Sequence, residues 1–309
     1  MIRASVVLCT FKRYDLARNC LSYLDRQSMP RDEYEIVVVD NTPTELRMDM
    51  VWDEYHVDKV VVEETPGLSR ARNAGIAASQ AEIVVFIDDD AEADKEWLNA
   101  LTAAFDKQSD AKVIGGGVRA KYLGKCPPWM SKRTEGYLSC IDWGEGISKL
   151  KAGQWIAGAN MAFRRSVFEE HGLFNVSLGR IGHGTLLSNE EIAYIQVLGE
   201  GVVYYCGDAV VDHLIPPERT EQSWFRKRVY WQAVSDLLAG QGSAADGARW
   251  FEDFLASCVK APAEYRSFKA LNYACESADE FEEQLHRIYF LIFAAGIGLP
   301  TIGETDLEI

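Results

Sequence analysis

Cysteine never occurs as a CxxC pair in this chain, and its seven copies (Cys9, Cys20, Cys126, Cys140, Cys206, Cys258, Cys275) are odd in number and widely spaced. That pattern excludes a zinc knuckle and implies no disulfide framework, so most of them are expected to be small buried hydrophobes. Long apolar runs are missing too. The longest, near Phe290 to Ile302, contains Gly296, Gly298 and Pro300 and is shorter than the ~20 residues a membrane-spanning helix needs. Basic charge is scarce, since 32 Lys+Arg against 47 Asp+Glu leave the 309 residues at −15. An acidic surface without a Lys/Arg stripe repels a phosphate backbone, so nucleic acid is not the expected partner. The first residues, Met1 to Leu8, lack the basic, apolar and small-residue order of a signal peptide, which points to a cytoplasmic protein. The turn after the first strand reads Leu8-Cys9-Thr10-Phe11-Lys12-Arg13 instead of GxGxxG, and no GxxxxGK[ST] occurs. Without those glycines the backbone does not approach a pyrophosphate, so neither a dinucleotide cofactor nor a P-loop nucleotidase is expected.

What is present is a globular composition, 48% hydrophobic and 26% charged, with ample core for one catalytic domain with a helical extension or for two closely packed subdomains. The N-terminal third alternates β-branched runs with helical patterns, the signature of βαβ units and a mainly parallel sheet. Strands are expected over Ala4 to Cys9, Tyr34 to Val39, Val57 to Glu63 and Ile83 to Ile87. Helices are expected over Tyr14 to Gln27, Leu68 to Ala78 and Lys95 to Phe105. A strand at Val113 to Ala120 leads to a long irregular segment, Lys121 to Gln154, of the kind that covers a substrate. Trp155 to Phe163 reads as a strand, Ser188 to Leu198 as a helix, and Val202 to Tyr205 with Ala209 to Val211 as the last strands. Beyond Pro216-Pro217 the chain turns helical over Ser223 to Leu238, Phe251 to Val259 and Glu280 to Ala295. Polar residues gather at the carboxyl ends of the strands, the edge where open α/β sheets bind ligands.

Three motifs carry chemistry. Asp88-Asp89-Asp90 leaves a buried strand, and three adjacent carboxylates invite a hard divalent cation with positions left for phosphate oxygens; the plainer reading is a solvated loop that caps a helix. Gly67-Leu68-Ser69-Arg70-Ala71-Arg72 brings two arginines to a helix start, a setting for an anion or for pairing with nearby carboxylates. Ser188-Asn189-Glu190-Glu191 opens another helix, and a carboxylate of raised pKa there suits proton abstraction, although acids are also ordinary at helix starts. Asp212-His213 adds an imidazole as metal ligand, phosphate partner or structural group.

In this order the pieces resemble inverting family 2 glycosyltransferases of the GT-A fold. The carriers, across roughly residues 4 to 230, are SVVLCTFKR, EIVVVDN, GLSRARNAG, VVFIDDD, WIAGANMAFRR, the SNEE segment followed by VVYY, and VVDHLIPPER. The resemblance implies an α/β fold of GT-A type, with a mainly parallel twisted sheet flanked by helices. It divides the chain into a catalytic domain over 1–220, with a nucleotide-sugar half (1–120) and an acceptor half (121–220), and a helical extension over 221–309. It also implies a nucleotide-diphosphosugar donor, usually a UDP-sugar, with Mg²⁺ or Mn²⁺ bridging the diphosphate.

Carried over by residue, Thr10 and Asp40 form the nucleobase pocket, and Arg72 contacts the base or phosphate. The resemblance makes Asp90 the direct metal ligand, with Asp88 or Asp89 toward the ribose and His213 as second metal ligand. By the same resemblance Glu191 is expected to be the catalytic base, with Glu190 as its competitor. The family carries Asp at the base position, so a Glu there departs from the pattern by one methylene. Trp155 and the Gly158-Ala159-Asn160 turn resemble the acceptor side, and Trp129, Trp143 and Trp155 read either as sugar-stacking or as packing residues. Charge then dictates the mechanism: the cation at Asp90 stabilises the departing diphosphate, with Arg219 or Lys12 assisting, while Glu191 deprotonates the acceptor hydroxyl and the anomeric configuration inverts.

Two competing readings are a nucleotide-sugar-binding protein without turnover and a sugar nucleotidyltransferase; the lack of a Gly-rich triphosphate loop speaks against the latter. Acceptors compatible with the chain are saccharides, lipid-linked sugars or small molecules. Phe281, Leu285, Ile288, Tyr289, Ile292 and Phe293 form an apolar stripe that reads as a face packed on the catalytic domain. Peripheral membrane contact is the other reading, weakened by few Lys or Arg.

Overall fold

The computed structural model describes residues 2–48, 52, 54–180, 186–199, 201–238 and 271–296; the helix expected over Phe251 to Val259, Cys258 and the end of the apolar run lie outside them. The chain runs β1 (Ala4–Thr10), α1 (Tyr14–Leu24), β2 (Tyr34–Asp40), β3 (Lys59–Val62), α2 (Leu68–Ala78) and β4 (Ile83–Asp88). Next come β5 (Ala91–Ala93), α3 (Trp97–Lys107), β6 (Val113–Tyr122), α4 (Lys132–Tyr137), β7 (Ile147–Lys149), β8 (Asn160–Arg164) and α5 (Arg165–His171). The last are α6 (Glu190–Leu198), β9 (Val203–Ile215), α7 (Gln222–Leu238) and α8 (Ala278–Gly296). They fall into two compact units, one of Met1–Lys121, Ser139–Gly184 and Glu190–Leu214, the other of Tyr122–Leu138, Thr185–Asn189 and Ile215–Ile309.

The first unit is built on a sheet of order β3-β2-β1-β4-β8-β6-β9-β5, with β7 on β9. The β3-β2-β1-β4 pairs are parallel, and the β4–β8, β8–β6, β5–β9 and β7–β9 pairs are antiparallel. The sheet is therefore mixed, with its parallel part confined to the βαβ units of the N-terminal third. Strands there read as near-continuous Val/Ile runs because helices cover both faces, and β2 is buried along its whole length. Side-chain alternation sorts the core into two layers. Val6, Leu8, Ile36, Val38, Val85 and Ile87 meet Ala17, Leu21 and Leu24 of α1 and Trp97, Leu98 and Leu101 of α3. Val7, Val37, Val39, Val84 and Phe86 meet Ala71 and Ile76 of α2, Val167 and Phe168 of α5, and Tyr194 and Leu198 of α6.

Gly75 lets α2 lie close on the sheet, since a Cβ there would stand 2.3 Å from a Val7 methyl. Asn160 is fully buried, and its amide donates to the Gly117 and Ala209 carbonyls (both 2.9 Å) and accepts from the Trp97 indole N–H (2.8 Å). One side chain thus ties β8 to β6, β9 and α3.

In the second unit Ser131 and Thr134 form a reciprocal cap on α4. Trp129 packs edge-on against Phe225 of α7 (5.4 Å) and Phe281 of α8 (4.6 Å). Buried Asp236 of α7 accepts hydrogen bonds from Asn189, from Gln232 (2.9 Å) and from the Tyr289 hydroxyl of α8 (2.6 Å).

The segment expected to be an irregular cover over Lys121 to Gln154 contains α4, β7 and a bridge from Val118 to Ile141. Trp129 and Thr134 are packed inside the second unit rather than held open for sugar. The strand expected over Trp155 to Phe163 starts only at Asn160, the two last strands are one, β9, and the helix expected from Ser188 starts at Glu190. Two elements are additional, β5 and α5. No helix among the described residues is long and apolar enough to cross a membrane.

Candidate active site

Parallel pairing aligns Thr10 with Asp40 and Cys9 with Asp88, so the ends of β2, β1 and β4 deliver their polar residues to one edge. Pleat parity then separates them. Asp40 continues the Val38 face toward α1, whereas Asp88 continues the Phe86 face toward α2 and α6.

On the first face, the β1–α1 turn holds Lys12 at φ 59, with its backbone N–H donating to Thr42 Oγ1 (2.9 Å). That turn sends Arg13 toward the end of β4 and Tyr14 toward the end of β2. The Tyr14 hydroxyl donates to Asp40 Oδ2 (3.0 Å), while Asp40 Oδ1 accepts the Thr42 N–H (2.9 Å). Asp89 is 1% exposed and has both oxygens engaged, by Thr10 Oγ1 (2.8 Å), by Arg13 Nε (3.2 Å) and by Arg13 Nη2. Burial nevertheless pushes the Asp89 carboxyl up to about 7 against the pull of Arg13. Asp90 takes Arg13 Nη1 on Oδ2 (2.7 Å) and turns Oδ1 to His213 Nε2 (3.3 Å). Pairing of Ala91 with His213 and a Leu214 N–H to Asp90 carbonyl bond (2.8 Å) hold the two segments together there.

On the second face Arg72 is the centre. Its guanidinium is 2% exposed, pairs with Glu190, and donates to the Gly158 carbonyl (3.1 Å) and to Asp88 (3.4 Å) above the Phe86 ring. Burial disfavours its charge, and Glu190 and Asp88 more than restore it. A Cβ at Gly158 would stand 2.7 Å from Arg72 Nη2, so a larger residue there would displace the guanidinium. Glu191 follows Glu190 on α6 and has a buried Oε2 with no hydrogen-bond partner. Burial first, and then the neighbouring Glu190, push its carboxyl up to about 8. Cys9 lies on this face, and burial lifts its thiol to about 12, which removes it as a thiolate nucleophile.

All nine residues singled out from the sequence belong to the first unit. Thr10, Asp89, Asp90 and His213 form one connected chain through Arg13, and Arg72, Asp88 and Glu190 form a second. Asp40 joins neither by a direct hydrogen bond and is reached by Tyr14. Trp143 donates its indole N–H to the Trp155 carbonyl (2.8 Å), so the pair is internally bonded. Arg13 and Tyr14 are participants that sequence reading did not assign, and Gly158, read there as part of an acceptor-side turn, serves here as a carbonyl partner of Arg72; the only signal for Arg13 was a basic side chain in the turn that lacks glycines.

Among the described residues no group of three or more His, Cys, Asp or Glu side chains is arranged to enclose a metal ion. One buried carboxylate oxygen beside one buried imidazole nitrogen nevertheless fits a dication that takes most of its ligands from substrate phosphates. The donor chemistry of Asp90 and His213 is therefore compatible with Mg²⁺ or, with its nitrogen ligand, Mn²⁺.

The ends of β2 and β4 thus carry acids on opposite faces of the sheet, and Asp88 is tied through Arg72 to Glu190 at the start of α6. The family model described as Glycosyl transferase family 2 matches residues 5–172, and the chain belongs to that family. It is 30% identical over 261 residues to the glucosyl-dolichyl phosphate glucuronosyltransferase of Haloferax volcanii, covering 78% of this chain and 80% of that one. The mannosyltransferase PcManGT of Pyrobaculum calidifontis, solved with GDP-Man and Mn²⁺, superposes with a TM-score of 0.55 at 17% identity, over 95% of this chain and 86% of that one. S. aureus TarS in complex with UDP gives a TM-score of 0.52 at 17% identity, over 95% and 91%. The protein is a glycosyltransferase with the GT-A fold expected from its sequence.

Proposed function

We propose that this enzyme transfers a sugar, with inversion, from a nucleotide-diphosphosugar to an acceptor hydroxyl, and that the donor is a UDP-sugar. The observation that carries the reading is the buried, unpartnered Oε2 of Glu191, one residue from the Arg72–Glu190 pair that links α6 to Asp88. A carboxyl left without a partner in a buried site is costly unless a ligand group meets it. Glu190 is neutralised by Arg72, which leaves Glu191 as the base.

In the proposed reaction the acceptor oxygen bonds to the anomeric carbon while the bond to the diphosphate breaks and its electron pair leaves with the diphosphate. The acceptor proton passes to the Glu191 carboxylate. Asp40, kept oriented by Tyr14 and the Thr42 N–H, has lone pairs left for the imide N–H of a base, and Asp88, about a third exposed, is open to a ribose hydroxyl. Asp90 and His213 would hold the dication, which when bound supplies Lewis-acid neutralisation of the leaving diphosphate. The dication-bound neighbour and the UDP-bound neighbour favour these assignments, and the name of the Haloferax relative favours a lipid-phosphate-linked saccharide as acceptor.

Thermal-shift titration with nucleotide-diphosphosugars in Mn²⁺ or EDTA tests the reading. UDP or a UDP-sugar is expected to raise Tm only with the metal present, and Asp90→Ala to remove the response. No stabilisation by any nucleotide would refute it.

A further inference from the structure

We infer that Arg13 is a positioning residue for the metal site: its guanidinium, clamped across Asp89 and Asp90, keeps the Oδ1 of Asp90 aimed at His213. The inference rests on the metal reading of the proposed function.

Three adjacent carboxylates that leave one strand repel each other, and an Asp side chain rotates freely about two bonds. Left alone, Asp90 would turn away from buried Asp89. Arg13 opposes this with a fork that is geometrically fixed: Nε and Nη2 take the two oxygens of Asp89, and Nη1 takes Oδ2 of Asp90 at 2.7 Å. A planar guanidinium locks both carboxylates in one relative orientation, which a point charge does not do. With Oδ2 committed to Arg13, Oδ1 is the oxygen that faces His213, at 3.3 Å. Asp89 is then the anchor of the clamp and not a ligand, since Thr10 and Arg13 engage both its oxygens. The clamp is aimed by backbone geometry, through Lys12 at φ 59 pinned to Thr42. Outer groups of this kind typically set metal affinity by about 10–100-fold.

The test titrates Mn²⁺ by electron paramagnetic resonance into full-length protein with saturating UDP, comparing wild type with Arg13→Gln and Arg13→Lys. The Gln variant is expected to bind Mn²⁺ about 10–100-fold more weakly, and the Lys variant, a charge without a fork, to fall between. UDP affinity in EDTA is expected to stay at the wild-type value in both. If the Gln variant does not fold, the Lys variant decides alone. A folded variant that binds Mn²⁺ as tightly as wild type overturns the inference. Tighter binding also overturns it, because Arg13 would then be a competitor for Asp90. An equal loss of UDP affinity in EDTA overturns it by making Arg13 a phosphate ligand. Wild-type protein that takes up no Mn²⁺ at all marks a different failure, that of the metal reading itself.

Discussion

Two adjacent glutamates in one helix turn have opposite fates because one arginine reaches only one of them. Glu190 is ion-paired with Arg72, and Glu191 is left with a buried bare oxygen and a carboxyl pushed up to about 8. Glu191→Gln is therefore expected to lower kcat by a factor on the order of 10²–10⁴, with nucleotide affinity retained in a binding titration; near-normal turnover would remove Glu191 from the mechanism. The sign of the pH dependence follows. Below about 8 the carboxyl holds its proton and accepts none from substrate; above it the base form dominates. kcat/KM should rise roughly tenfold per pH unit on the acid side and level off above the apparent pKa, which belongs to the Glu190–Glu191 pair jointly. The Gln variant should lack that limb, and an unchanged limb would contradict the assignment. The acids themselves were legible at this scale. Their division of labour came from the resemblance alone, and the Arg72–Glu190 pair that gives it a physical ground spans 118 residues.

Helix α2 presents Arg72 to β4 only because Gly75, one turn later, lets its backbone settle on Val7 and Val39. Gly75→Ala adds a helix-favouring residue worth about 1 kcal/mol, yet its Cβ would meet a Val7 methyl at 2.3 Å. Overpacking of that kind costs about 1–3 kcal/mol. The net expectation is a lower urea midpoint and reduced turnover, with Val7→Ala in the same chain recovering part of both; a more stable single variant would show that α2 has room to shift. Sequence pattern located α2 at its observed ends because Gly67 leads in and the apolar period stops at Ala78. It missed β5, whose three residues Ala91-Glu92-Ala93 have no strand preference and extend only because β9 lies alongside. The strand before Asn160 was overread for the converse reason: Ile156 to Ala159 are apolar and buried, yet no strand pairing includes them.

At the level of the whole chain, the described residues after 220 are not an independent appendage within their unit. A chain ending at Thr220 would leave Trp129 without Phe225 and Phe281, and Asn189 without Asp236 and Gln232. Uncovering a large apolar side chain costs about 1.5–3 kcal/mol, and the orphaned amide adds about 1–3 kcal/mol. The truncated chain is expected to bind a hydrophobic dye and to be cleaved within 122–138 under mild proteolysis; a compact, resistant truncation would instead support a self-sufficient catalytic domain over 1–220. Asn189, at φ 71 and 2% exposed, immediately precedes the glutamate pair, so this truncation also removes the side chains that bond the residue leading into α6.

Local chemistry was enough to place the strands and helices of the N-terminal third along the chain and to put acids at the strands' carboxyl ends, because β-branched runs and turn glycines act over a few neighbours. Which carboxylate is clamped, which is paired and which is left bare depended on contacts such as Arg13 to Asp89 and Arg72 to Glu190, across 76 and 118 residues. Folding alone chooses such partners, since hydrogen bonds between buried charges require positions fixed by the entire packed sheet, and no nearby residue encodes them.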